Sequence, residues 1–83
     1  MEKIYISIGF EVAGRTPIEC LTKVCNIVNT QKYFLGTNNA IPVKIIKQDK
    51  DWMGKTVYQG IYKGIDIKGK KVVRKTKIVA YEI

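Results

Sequence analysis

Between Lys3 and Ala13 apolar and polar side chains alternate. Ile4, Ile6, Ile8, Phe10 and Val12 stand on one side, Tyr5, Ser7, Gly9 and Glu11 on the other. A period of two is that of a strand with one face on a core. The pattern predicts a half-buried strand over Lys3–Ala13, with the isoleucines inward and Tyr5 toward solvent. Gly14-Arg15 supplies the turn. Thr16-Pro17-Ile18-Glu19 then predicts a helix start. The Thr16 hydroxyl can accept from the Glu19 amide, Glu19 can reach back to the Thr16 amide, and proline at the first helical position loses no hydrogen bond. The helix runs to about Asn29. Ile18, Leu21, Cys25 and Val28 form one stripe, and Cys20, Val24 and Ile27 widen it to about half the circumference at roughly 100° per residue. So broad a face suits a helix lying flat on a sheet.

Past the helix, Tyr33-Phe34-Leu35 reads as a short strand or a packed loop, and Gly36-Thr37-Asn38-Asn39 as a turn cluster. Ile41–Gln48 reads as a strand with Pro42 near its start, where proline is tolerated. Asp49–Gly54 is a connection. Lys55–Lys63 is the next strand, with Val57 and Ile61 on one face and Tyr58 and Tyr62 on the other. It continues irregularly through Ile65–Ile67 to a turn at Lys68–Lys71. Val72–Ile83 is the last strand. Its alternation fails near Thr76, and one bulge there would restore a consistent face. The expected fold is α+β: one amphipathic helix packed on a mainly antiparallel sheet of four to five strands, in the order β-α-β-β-β, as a single domain over residues 1–83.

Charge changes this picture. Fifteen Lys and Arg against seven Asp and Glu give a formal net charge of +8. Residues 1–43 hold four basic and three acidic side chains, whereas residues 44–77 hold eleven and three. Within Lys68–Lys77, six of ten residues are basic: Lys68, Lys70, Lys71, Arg74, Lys75 and Lys77. This segment reads as the tip and first half of a β-hairpin that projects positive charge, and such a field attracts polyanions. Lysines on an edge strand also keep sheets from pairing with one another, but that role needs fewer than six. Tyr58 and Tyr62 share a face and, with Tyr5, would form a stacking platform beside these lysines. Strand tyrosines equally serve as half-buried packing. Trp52, in a loop beside Met53, reads as a protein-interaction anchor.

Catalytic chemistry finds little support. There is no histidine, and Cys20 and Cys25 are the only cysteines. On one helix their α-carbons would lie roughly 8–9 Å apart and about 140° around the axis, too far for a disulfide. Without a third cysteine or a histidine, one chain cannot build a zinc site. Asp49, Asp51 and Asp66 do not read as a converging metal site. An anion site at the helix start is disfavoured because Pro17 removes one amide and Glu19 would occupy others. The chain shows no signal peptide and no apolar run of about 20 residues, which points to a cytoplasmic protein with reduced thiols and no membrane partner. It carries neither the RNP-type aromatic signature nor the GXXG loop of small nucleic-acid-binding modules.

The sequence therefore predicts a non-enzymatic binding module without a cofactor. Its ligand would be RNA, DNA or a phosphorylated nucleotide, held by the basic hairpin. The competing expectation is a protein-interaction module or inhibitor, such as a viral accessory protein antagonising a host defence complex, whose basic strand docks on a host protein. Exposed strand edges leave room for a homodimer.

Overall fold

In the computed structural model, residues 2–48, 50 and 53–83 are described. The elements are β1 (Lys3–Ser7), β2 (Ala13–Gly14), α1 (Pro17–Thr30), the one-turn α2 (Lys32–Leu35), β3 (Thr37–Gln48), β4 (Val57–Asp66) and β5 (Lys71–Glu82). The strands form one sheet in the order β2-β1-β5-β4-β3, and every pairing is antiparallel. This is the expected α+β architecture, with the strand-helix-three-strand order read from the pattern.

Several boundaries differ, each for a local reason. The first strand ends at Ser7 and doubles back. The Ser7 amide donates to the Val12 carbonyl (2.9 Å) and the Glu11 amide to the Ser7 carbonyl (3.1 Å), with Glu11 at φ 55°. Tyr33–Leu35 is a helical turn, because α1 passes directly into it: the Phe34 and Leu35 amides both donate to Gln31. The expected Gly36–Asn39 turn is largely strand. β3 starts at Thr37 and absorbs irregularities between Asn38 and Ile41 and between Pro42 and Lys44. β3 is an edge strand, so Pro42 needs no amide for an outer neighbour. The bulge expected near Thr76 does not exist, since the β4–β5 register runs unbroken from Val57↔Val79 to Ile65↔Lys71.

The helix start is capped as expected, with one change of partner. The Glu19 amide donates to Thr16 Oγ1 (3.1 Å), while Glu19 Oε2 accepts from the Arg15 amide (3.2 Å), one residue earlier than a capping box requires. Cys20, Leu21, Val24, Cys25 and Val28 are buried, and Ile18 is left half-exposed. At its other end Asn29 clamps the helix to β3, donating to the Ala40 carbonyl (3.1 Å) and accepting the Ala40 amide (2.7 Å).

The side chains beneath α1 correct the expected orientation of the sheet. Ile78, Tyr62 and Ala40 are in the core, and Tyr5, Tyr58 and Ile45 pack against it. Ser7 is fully buried and hydrogen-bonds Thr76 across 2.9 Å. The face beneath the helix is thus Tyr5, Ser7, Tyr58, Gly60, Tyr62, Thr76, Ile78 and Ala80, whereas Ile4, Ile6, Val57 and Ile61 stand on the other face, where Val57 and its partner Val79 are nevertheless buried. The reason is size. A helix settles where small residues leave a trough, and a side chain at Gly60 would come within 3.0 Å of Leu21 Cδ1. A Cβ at Gly14 would meet the Cys20 amide nitrogen at 2.6 Å. The alternation in β4 sorted residues correctly into shared faces; in β1 it was carried past Ser7, where the chain doubles back and Phe10 and Val12 pack on the core, and in β5 it was read as broken. It did not say which face the helix would take.

Candidate functional site

The face turned away from α1 is read from the strand registers, since paired residues share a face. Row by row, Gln48, Val57, Val79 and Ile6 line up across the sheet, then Ile46, Gln59 and Lys77. Next come Lys44, Ile61 and Lys75, then Ile41, Lys63 and Val73, and last Asn38, Ile65 and Lys71. Five lysines, Lys44, Lys63, Lys71, Lys75 and Lys77, therefore stand on one face among aliphatic side chains. All five are exposed. None of the strand residues in these rows is acidic. The ion pair found among the described residues lies elsewhere, between Lys23 and Glu19 (3.7 Å). Ile41, Ile46 and Val73 are exposed between the lysines.

The expected site residues separate into three groups. Lys71, Lys75 and Lys77 lie on this open face. Lys68 and Lys70 sit in the β4–β5 turn, which Asp66 holds: its Oδ1 accepts from the Lys68 amide (2.9 Å) and the Lys70 amide (2.8 Å). Asp66 is thereby a turn residue. Arg74 pairs with Tyr62 and belongs to the helix-side face. The tyrosine platform is corrected. Tyr62 is 6% exposed, and Tyr58 packs on the core with its ring 5.7 Å from that of Tyr5. The tyrosines and the open-face lysines occupy opposite faces because neighbouring strand positions alternate. Trp52, Asp49 and Asp51 lie outside the described residues.

Two lysines that the sequence reading left out of the site, Lys44 and Lys63, belong to the open face. They were visible as part of the charge excess after residue 44, but only the register brings β3 and β4 beside β5. Exposed aromatic surface is present elsewhere: Tyr33 and Phe34 on α2 are each 89% exposed, and Tyr33 lines a hollow with the turn residue Ile67, itself 80% exposed. Two hollows at this end share Ile65 as a lining residue. One, of about 370 Å³, is lined by Ile41, Lys63, Ile65, Lys71 and Val73. The other, of about 310 Å³, is lined by Tyr33, Asn38, Ile65 and Ile67. At the opposite end a polar depression of about 380 Å³ holds Lys3, Lys50 and Lys55. It is less anion-seeking, because Glu82 also lines it and Lys55 lies over the Tyr81 ring at 4.5 Å.

The cysteines are free and buried. Burial pushes the Cys25 thiol up to about 11 and also raises Cys20 and the Tyr62 phenol. Thiolate is the reactive form, so native protein at pH 8 is expected to react with a thiol reagent far more slowly than protein in denaturant. The sign for stability follows from the raised value. An unfolded Cys25 loses its proton near 9 and the folded one near 11, so this group's contribution is intact below pH 9 and declines between 9 and 11. A Cys25→Ala variant lacks that component in urea melts at the two pH values.

Among the described residues no three metal-binding side chains gather, and no helix is long and apolar enough to cross a membrane. Comparison with family models, curated proteins and solved structures finds no match.

Proposed function

We propose that this chain is a non-enzymatic binding module that takes nucleic acid on the open face of its sheet. One observation carries the reading: five exposed lysines on that face, without an acidic residue among the strand positions around them. Edge protection does not explain all five. Lys63 is paired on both sides and the Lys77 carbonyl accepts from the Ile8 amide, so these two guard no open edge, although Lys44 lies on edge strand β3 and Lys71 and Lys75 lie in the part of β5 that pairs with β4 alone. Solubility does not explain them either, since a merely solvated face mixes both signs. The lysines spread over three strands and do not converge on one cavity, which favours a polymer over a small nucleotide. A second copy of the chain would set like charge against like charge.

The test is a titration with a labelled 20-nucleotide probe at several salt concentrations. Affinity is expected near 10⁻⁴–10⁻⁶ M at physiological salt, roughly the non-specific range. With five phosphate contacts the slope of log K against log salt is about −3.5 for a single strand and about −4.5 for duplex. Absence of salt-dependent binding overturns the proposal. A partner protein retained from lysate after complete nuclease digestion, with no nucleic-acid affinity in the purified chain, would favour the protein-inhibitor reading instead.

A further inference from the structure

Resting on that reading, we infer that the nucleic acid is single-stranded and that its unpaired bases occupy the two neighbouring hollows at the hairpin end. Ile65 lines both hollows, which places them side by side as a track from the open face to the tip. Along it, cations and apolar surface alternate. Lys63 and Lys71 flank Ile41, Ile65 and Val73, and the track then reaches Ile67 and Tyr33, with Phe34 adjacent in sequence. Each hollow is of the size that small planar ligands use, roughly 300 Å³ upward.

A duplex cannot exploit such a track. Its base faces are stacked inside, and it offers a protein only phosphates and base edges. Lysines alone would serve it, and exposed isoleucine and valine between them would be wasted desolvation. A single strand offers both chemistries at alternating positions. Its phosphates meet Lys63 and Lys71, while its bases leave water against aliphatic walls and stack on exposed aromatic rings, which is sequence-tolerant. The charge of the track argues for this occupant over a second copy of the chain, which would bring the same two lysines together.

The experiment compares three probes at matched salt: a labelled oligothymidylate 15-mer, a duplex of equal length, and inorganic polyphosphate as a polyanion without bases. Wild-type protein is expected to bind the single strand about tenfold or more tighter than the duplex. A Tyr33→Ala/Phe34→Ala variant is expected to lose at least about fivefold for the single strand, with duplex affinity and salt slope unchanged. A Tyr33→Phe/Phe34→Tyr variant restores the preference. Because both rings are exposed, folding is checked by thermal melting and is expected to be unaffected. Duplex or polyphosphate bound as tightly as the single strand overturns this inference and leaves the proposed function standing. So does a preference indifferent to the aromatic variants. Failure to bind any of the probes overturns both.

Discussion

Leu21→Ala is expected to lower the unfolding free energy by about 3 kcal/mol, within the usual range of roughly 2–5 for a buried leucine. Leu21 is fully buried and ranks first in size among the side chains that are. A chain of this length has about 4–12 kcal/mol in total, so the loss shifts the urea midpoint by about 1–3 M. The informative part is the coupling to Gly60. A Cβ at Gly60 would press on Leu21 Cδ1 at 3.0 Å, Ile78 Cδ1 at 3.1 Å and Thr76 Cγ2 at 3.2 Å. Shortening Leu21 removes the nearest of these atoms. Gly60→Ala in the Leu21→Ala background is therefore expected to be stabilising, through a partly filled cavity and a less flexible unfolded chain. In wild-type protein the same change should gain less or cost stability. The interaction energy of the cycle should be at least about 0.5 kcal/mol. An additive cycle would mean that α1 does not rest in the trough at Gly60.

That trough explains what could be read along the chain and what could not. The helix, its cap at Thr16 and the three later strands follow from local patterns, and each formed. In β4 the residues that share a face also followed, because a strand repeats every two residues; beyond Ser7 the repeat misled, since the chain doubles back and brings Phe10 and Val12 onto the core. The side on which the helix lies is a different matter. In β1 the larger aliphatics, Ile4 and Ile6, looked like the core, yet Tyr5 and Ser7 are beneath the helix. In β4 and β5 the covered positions include Gly60, Gly64, Thr76 and Ala80, whose merit is smallness. Hydrophobicity is a poor guide when both faces carry apolar residues, and close approach of a helix is decided by volumes on several strands at once. The same register decides the site. Lys75 and Lys77 broke the expected apolar alternation of β5 and suggested a bulge. No bulge is needed, because the face they share with Val73 and Val79 is the one without a helix. Arg74, one residue away from Lys75, is carried to the other side for the same reason. Lys44 and Lys63 join the cluster only through pairing across the sheet, a long-range fact no local window contains.

Removing charge from the open face and from positions outside its rows should give unequal results. Lys63→Gln, Lys75→Gln and Lys77→Gln together, and Arg15→Gln, Lys47→Gln and Arg74→Gln together, each lower the net charge by the same amount. All six residues are exposed, so neither triple change should unfold the protein. If attraction were a matter of total charge, both variants would lose affinity alike, because each removes the same three positive charges. If phosphates sit on the open face, each lysine lost there removes one contact and its released counterion. At 0.15 M salt each contact on a single strand is worth about 0.6 log units, so the open-face variant should bind about 50-fold more weakly. Its salt slope should become shallower by about 2. The other variant should change by less than about threefold, with its slope preserved. The slopes decide the matter independently of affinity, since a variant with some general defect weakens binding without releasing fewer ions. Equal losses from the two triple variants, with equal slopes, would remove the open face from its proposed role and leave only a basic protein with non-local affinity for polyanions.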